Sequence, residues 1–127
     1  MTSITRPDWR TYFLNIARAV AQRATCSRAQ VGAVIVRDNR ILATGYNGSL
    51  PGGHHCLDYG CDMKDGHCIR AIHAEVNAVA HAAKYGVALN NSVVYVWDSM
   101  RRVAVCSHCY QVTTAAGVKF RFLGGPQ

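Results

Sequence analysis

Two short motifs constrain this chain more than any other feature: His73-Ala74-Glu75, and further along, Cys106-Ser107-His108-Cys109. One histidine and two cysteines are three ligands that Zn²⁺ accepts, and they leave its fourth tetrahedral position open for water. The glutamate that follows the histidine can move the protons of that water. The two motifs therefore predict a hydrolytic zinc site and a fold that brings them together.

Each motif is weak alone. His-x-Glu arises by chance as a polar pair at the start of a helix, and Cys-x-x-Cys can be a redox pair or half of a structural zinc site. Together, in this order and each at a predicted helix start, they fit the zinc deaminase pattern of His-x-Glu followed by Pro-Cys-x-x-Cys. Val105 stands where that pattern has proline.

Composition predicts one folded domain spanning residues 1–127, because 50% of the residues are apolar and 17% are charged. The segment Met1 to Pro7 lacks the apolar stretch of a signal peptide, and no segment approaches the roughly 18 apolar residues of a membrane span. We therefore expect a cytoplasmic protein without membrane contact. In that compartment the six cysteines stay reduced, and clustered cysteines bind metal more often than they form disulfides.

The formal net charge of +7 suggests an anionic partner. A nucleic acid and a mononucleotide would both fit, and charge does not choose between them.

The apolar periodicity predicts alternating helices and strands. We expect helices over Pro7–Arg23, from Ile72 to about Tyr85 and from Ser107 to Gly117, strands over Val31–Val36, Ile41–Tyr46, Ser92–Trp97 and Val118–Phe122, and a long loop over Gly48–Gly66. This order favours an α/β fold with three α/β/α layers, in which helices cover both sides of a mixed sheet. Of the aromatic residues on the first helix, Trp9, Tyr12 and Phe13 are predicted to pack in the core.

Further motifs match a known family. The segments Thr25-Cys26-Ser27-Arg28, Val31–Val36, Gly45-Tyr46-Asn47-Gly48, His67-Cys68-Ile69-Arg70 and His73-Ala74-Glu75 closely resemble the deoxycytidylate (dCMP) deaminases of the cytidine deaminase superfamily. The resemblance extends from about residue 8 to 122. It implies a cytidine-deaminase-like fold, a catalytic zinc held by His73, Cys106 and Cys109, Glu75 as the proton shuttle, and deamination of dCMP to dUMP with release of ammonia.

The resemblance also implies the substrate contacts. Asn47 matches the residue that hydrogen-bonds the sugar or phosphate region, Arg28 lies where related bacterial enzymes place a phosphate-contacting residue, and the backbone of Ala74 would contact the base. A turn residue that tolerates a left-handed backbone is the alternative for Asn47. A solvated surface arginine is the alternative for Arg28.

A second, structural zinc is implied by the phage-type members of the family. The corresponding positions are Cys26, Cys56 and His67, with Cys61 as the natural fourth ligand, and Cys68 or His55 could replace one of them. Such a site would fix the loop after Asn47, and its binding energy would count toward folding. The alternative is a set of buried thiols and loop histidines that bind nothing.

The chain departs from the family beyond Val105. An extension that contains Arg101-Arg102 precedes Cys106, and the chain ends soon after its fourth predicted strand, so we expect a sheet without the family's last strand. In the family, that last strand and a following helix help to form the substrate pocket and the homo-oligomer that we also expect here.

Three functions remain open at this point. The leading one is deamination of a free pyrimidine nucleotide, most simply dCMP. The second is deamination of another cytosine substrate: a nucleoside, a modified cytosine or a polynucleotide. The third is a zinc-stabilised module that binds nucleic acid without catalysis, and Glu75 argues against it because a purely structural zinc site gains nothing from a proton shuttle.

Overall fold

The computed structural model describes residues 4–26, 28–49, 63–64, 67–68, 71–101 and 106–126. Three helices are present in these ranges: α1 (Trp9–Ala21), α2 (Ala74–Lys84) and α3 (Ser107–Ala115). The strands are β1 (Val31–Arg37), β2 (Arg40–Tyr46), β3 (Gly48–Ser49), β4 (Met63–Lys64), β5 (His67–Cys68), β6 (Ala71–Ile72), β7 (Ser92–Asp98) and β8 (Val118–Gly124).

The four long strands form one mixed sheet in the order β2-β1-β7-β8. Strand β1 is antiparallel to both of its neighbours, whereas β7 and β8 are parallel. All residues of β1 from Val31 to Val36 are buried, as expected for a strand that is apolar on both faces and lies inside a covered sheet. The mixed sheet predicted from the order of elements is thus confirmed.

A two-residue turn joins β1 to β2. Asp38 and Asn39 both have left-handed backbones, with φ of 52° and 59°. Positive φ at both central residues defines the type I′ turn, whose twist matches that of the strands it connects. The two predicted strands therefore form a hairpin, with Asp38 and Asn39 at the positions where these residue types tolerate positive φ best.

Helices cover both faces of the sheet, which confirms the three-layer arrangement. On one face Phe13 and Ala17 of α1 pack against Val34, Val36 and Tyr95. On the other face three alanines of α2 pack against the opposite sides of β1 and β7, in a cluster that includes Ala33, Ile35, Val94, Val96, Ala74, Ala78 and Ala82. The alternation of side chains along each strand supplies both cores.

The α1 aromatics divide between core and surface. Phe13 is 1% exposed, so its predicted core position is confirmed, but Trp9 is 50% and Tyr12 is 42% exposed. The prediction was wrong for these two because α1 turns only one stripe toward the sheet. Their rings instead contact that of Phe13, with centroid distances of 5.7 and 4.9 Å.

The helices are shorter than predicted because capping residues end them. The Asp8 side chain accepts a hydrogen bond from the Thr11 backbone N–H at 2.8 Å, so Pro7 and Asp8 precede α1 instead of forming its first turn. Ile72 belongs to β6, not to α2. Gly86 and Gly117 have positive φ just after α2 and α3, a conformation that commonly ends a helix.

Two short strand pairs each have one strand in the predicted loop, β3 in the first pair and β4 in the second. Strand β3 pairs with β6, which places Gly48 opposite Ile72, and β4 pairs with β5. The loop prediction was therefore wrong at residues 48–49 and 63–64, and its remaining part lies outside the described residues. The β3–β6 pair brings the end of β2 beside the start of α2, where His73 and Glu75, two of the predicted site residues, lie. None of the three helices described has the length and apolar character of a membrane span.

Candidate metal centre and catalytic pocket

His73 and Glu75 are placed by the first turn of α2. His73 is the N-cap residue with an extended backbone, and its carbonyl accepts the Asn77 backbone N–H at 2.9 Å. Ala74 and Glu75 follow and are buried, while His73 is exposed. The motif thus places an exposed histidine next to a buried carboxylate.

The two cysteines are placed by the first turn of α3 in the same way. Cys106 is the N-cap residue, and its carbonyl accepts the Tyr110 backbone N–H at 2.9 Å. Cys109 is fully buried, and its carbonyl accepts the Thr113 hydroxyl at 2.7 Å. Both motifs therefore lie at helix amino termini, where the backbone dipoles favour negative charge such as that of thiolates.

These three side chains come together as a candidate metal site. The ligand atoms of His73, Cys106 and Cys109 all lie within 4.8 Å of one another, and His73 Nδ1 is 3.0 Å from Cys109 Sγ. Ligand atoms around a tetrahedral zinc are about 3.5 to 3.8 Å apart, so shifts of about 1 Å would fit them to the ion. One imidazole and two thiols suit zinc in both donor type and number.

The surroundings of Cys109 disfavour the charged form of its thiol. Burial, and then hydrogen bonding and charge from Cys106, raise the pKa of the Cys109 thiol to about 12. Without a cation, such a thiol stays neutral at physiological pH and is a poor nucleophile. A nucleophilic role for Cys109 is therefore disfavoured.

Glu75 forms an ion pair with Arg121 of β8. Arg121 Nη2 contacts Glu75 Oε2, and the two side chains are only 14% and 9% exposed. Burial lowers the pKa of Arg121. Arg121 is not among the site residues that the motifs predict, although a cation within the predicted strand Val118–Phe122 is a signal that could indicate it.

Asn47 holds the start of β1. Its Oδ1 accepts the Val31 backbone N–H at 2.8 Å, and its Nδ2 donates to the Ala29 carbonyl at 2.9 Å. The side chain is buried, and its φ is not among the positive values found in the described residues, which disfavours the left-handed turn alternative. Its contact with a substrate remains a prediction.

Arg28 and Ala74 are the other two predicted substrate contacts, and Ala74 lies between His73 and Glu75 in the chain. Arg28 is exposed and directly precedes Ala29, whose carbonyl accepts from Asn47. Asn47 in turn precedes the β3–β6 pair that leads to His73. The backbone next to Arg28 is thus linked to Asn47, and Asn47 is linked through β3 and β6 to the start of α2. The substrate contacts of these residues remain predictions.

The predicted structural zinc site falls largely outside the described residues. Cys56 and Cys61 lie there entirely, and for His67 only the backbone, in β5, is described. Cys26 is described: it is buried and has a free thiol. Within the described part of the chain, the grouping of His73, Cys106 and Cys109 is the one that could hold a metal ion.

Comparisons with known proteins agree with this geometry. The family model described as the cytidine and deoxycytidylate deaminase zinc-binding region matches residues 7–124. Among curated proteins, ComE operon protein 2 of Bacillus subtilis is 45% identical over 114 residues, which cover 90% of this chain and 58% of that protein. The deoxycytidylate deaminase of Mycobacterium phage D29 is 35% identical over 130 residues, covering 91% of this chain and 94% of the phage protein.

A solved structure gives the same result for the fold. The dCMP deaminase of cyanophage S-TIM5, crystallised in complex with dCMP and dUMP, superimposes with a TM-score of 0.74 at 29% identity. The match covers 94% of this chain and 83% of the cyanophage chain. The chain spans just over half the length of the Bacillus protein (58%) and about a third (36%) of the Schizosaccharomyces pombe deoxycytidylate deaminase, to which it is 34% identical.

Proposed function

Because the chain belongs to the cytidine and deoxycytidylate deaminase family, we propose that it converts dCMP and water to dUMP and ammonia. The observation that carries this proposal is the convergence of His73, Cys106 and Cys109 beside the buried Glu75 at the starts of two helices. We further propose that residues 1–127 act as one catalytic domain.

The metal would be held by His73, Cys106 and Cys109. When bound, zinc would supply a polarised water as the attacking group. The protein contributes the fixed positions of these ligands, because two of them are helix N-cap residues and the third is fully buried.

Glu75 would move the protons. In the overall reaction a C4–O bond forms, the exocyclic C4–N bond breaks, and the two protons of water end on ring N3 and on the departing ammonia. A carboxylate close to the water can accept each proton and deliver it in turn. The burial of Glu75 supports this role, since a pocket shielded from bulk water keeps the protons on the substrate.

Arg28 and Asn47 would bind the nucleotide away from the base. Asn47 uses one hydrogen of Nδ2 and one lone pair of Oδ1 to hold β1, and an amide has a second of each. It can therefore contact the sugar or phosphate without releasing the strand. Arg28, exposed nearby, carries the positive charge that a phosphate requires.

The test is to measure ammonia release from dCMP, deoxycytidine, cytosine and a cytosine-containing oligonucleotide with the zinc-loaded protein. We expect dCMP to have the highest kcat/KM, and Glu75→Gln to lower its turnover by at least about 100-fold while zinc content and fold are kept. The matched control is Gln111→Glu, an amide exchange at an exposed site on α3. Near-normal turnover by Glu75→Gln would overturn the mechanism, and a preference for deoxycytidine would overturn the nucleotide assignment.

A further inference from the structure

Arg121 reaches the pocket from the strand β8. It pairs in register with Val94, whose side chain belongs to the core cluster beneath α2. Because side chains at paired positions lie on the same face of a sheet, Arg121 faces α2, where its Nη2 meets Glu75 Oε2. The strand β8 thus places the Arg121 guanidinium against the Glu75 carboxylate.

The position is unfavourable for an arginine without that partner. The Arg121 side chain is 14% exposed, and its Nε is buried without a hydrogen-bond partner in the part of the chain that the structure describes. Removing a guanidinium from water is costly, and a buried ion pair is often no more stable than two apolar residues that fill the same space. Fold stability alone therefore does not require the pair of Arg121 and Glu75.

We propose that Arg121 is a positioning residue that holds Glu75 in the orientation needed for proton transfer. This inference rests on the proposed function. A glutamate side chain has several rotatable bonds, so a free carboxylate near the substrate would sample many directions. The ion pair fixes Oε2, and the second oxygen, Oε1, can then serve the water and the base from a constant place.

The same contact gives the two carboxylate oxygens of Glu75 different roles: one binds Arg121 and the other exchanges protons. The carboxylate must exchange protons through one oxygen without turning away between the first transfer and the second. A partner bound to the other oxygen throughout supplies that constancy. Partners that orient a reacting group in this way are typically worth roughly 10- to 100-fold in activity.

The first experiment compares Arg121→Met, Arg121→Lys and Lys119→Met, all in zinc-loaded protein. Lys119→Met is the matched control, since it removes a positive charge from an exposed position of the same strand. We expect Arg121→Met to lower kcat for dCMP by roughly 10- to 100-fold with KM changed less than about threefold, Arg121→Lys to recover part of the loss, and the control to behave as wild type. An unchanged or increased kcat in Arg121→Met would overturn the proposal, as would a loss that appears in KM alone.

The second experiment asks whether Arg121 acts through Glu75. In the Glu75→Gln background, Arg121→Met should cause no further loss of kcat, because the group it positions is already disabled. A further loss equal to that in wild type would overturn the proposal. If Arg121→Met does not fold, the same comparison is made with Arg121→Lys.

Failure of the proposed deamination can be distinguished from failure of the proposed role of Arg121. Wild-type protein that releases no ammonia from any of the cytosine substrates would refute the proposed function. The contact of Arg121 with Glu75 is then judged by thermal unfolding of the two single variants and the double variant. A Tm shift in the double variant that is smaller than the sum of the single shifts supports the pair, and an additive shift overturns it.

Discussion

Asn47 has a structural role at the start of β1 and a proposed role in substrate binding. Its side chain accepts from Val31 N–H and donates to the Ala29 carbonyl, so truncation leaves buried backbone groups without partners. We expect Asn47→Ala to lower the free energy of unfolding by about 2 to 3 kcal/mol, measured by urea denaturation. Asn15→Ala, at an exposed site on α1, should change stability little, and an equal effect of the two variants would contradict the role of Asn47 at β1.

A substitution at Arg28 tests the proposed contact with the substrate phosphate. The phosphate is the group that dCMP has and deoxycytidine lacks, so a residue that binds it affects one substrate only. We expect Arg28→Ala to weaken kcat/KM for dCMP by roughly 1.5 to 3 kcal/mol and to leave deoxycytidine turnover almost unchanged. Steady-state kinetics on both substrates measures this, with Arg40→Ala in the exposed hairpin as the control. Equal losses on both substrates would show that Arg28 supports the fold instead.

At the scale of elements, two glycines let helices approach the sheet from opposite sides. A Cβ at Gly45 would collide with the backbone of Ala74 and Ala78 in α2, and one at Gly32 would collide with the backbone of Ala17 and Ala21 in α1. Because backbone atoms cannot rotate away, each helix must shift if its glycine is replaced. The shift of α2 would carry His73 and Glu75 with it, while a shift of α1 would not.

This difference gives a matched pair of variants. We expect Gly45→Ala and Gly32→Ala each to lower the free energy of unfolding by about 1 to 3 kcal/mol, the usual cost of overpacking. Under conditions where both are folded and zinc-loaded, Gly45→Ala should lose dCMP turnover and Gly32→Ala should keep it. Similar turnover in the two variants would mean that the pocket tolerates movement of α2.

The sequence predicted the elements that have a periodic pattern and the residues that have a fixed spacing. The long strands, the hairpin turn and the helix starts at His73 and Cys106 follow from alternation, turn chemistry and ligand spacing. The two-residue strands β3 and β6 have no pattern long enough to detect. The pair of Arg121 with Glu75 depends on the parallel register of β7 and β8, which no local signal encodes.

At the scale of the whole molecule, the metal content tests whether a second zinc is bound. We propose a second zinc bound by Cys26, Cys56, Cys61 and His67, so purified protein should contain about two zinc ions per chain. Cys106→Ser should remove one ion and the activity, and Cys56→Ser should remove the other and lower the Tm. Metal analysis and thermal unfolding measure these effects. A value near one ion, with an unchanged Tm in Cys56→Ser, would eliminate the structural site and leave the catalytic one.

The layered fold also determines what tryptophan fluorescence can detect. Both tryptophans of the chain lie on the α1 side of the sheet: Trp9 stacks on Phe13, and Trp97 packs beside the same cluster with the Arg18 guanidinium over its ring. The metal ligands and Glu75 lie with α2 and α3 on the other face. We therefore expect tryptophan emission to change when the protein unfolds. Binding of a nucleotide beside Glu75 should change the emission spectrum very little.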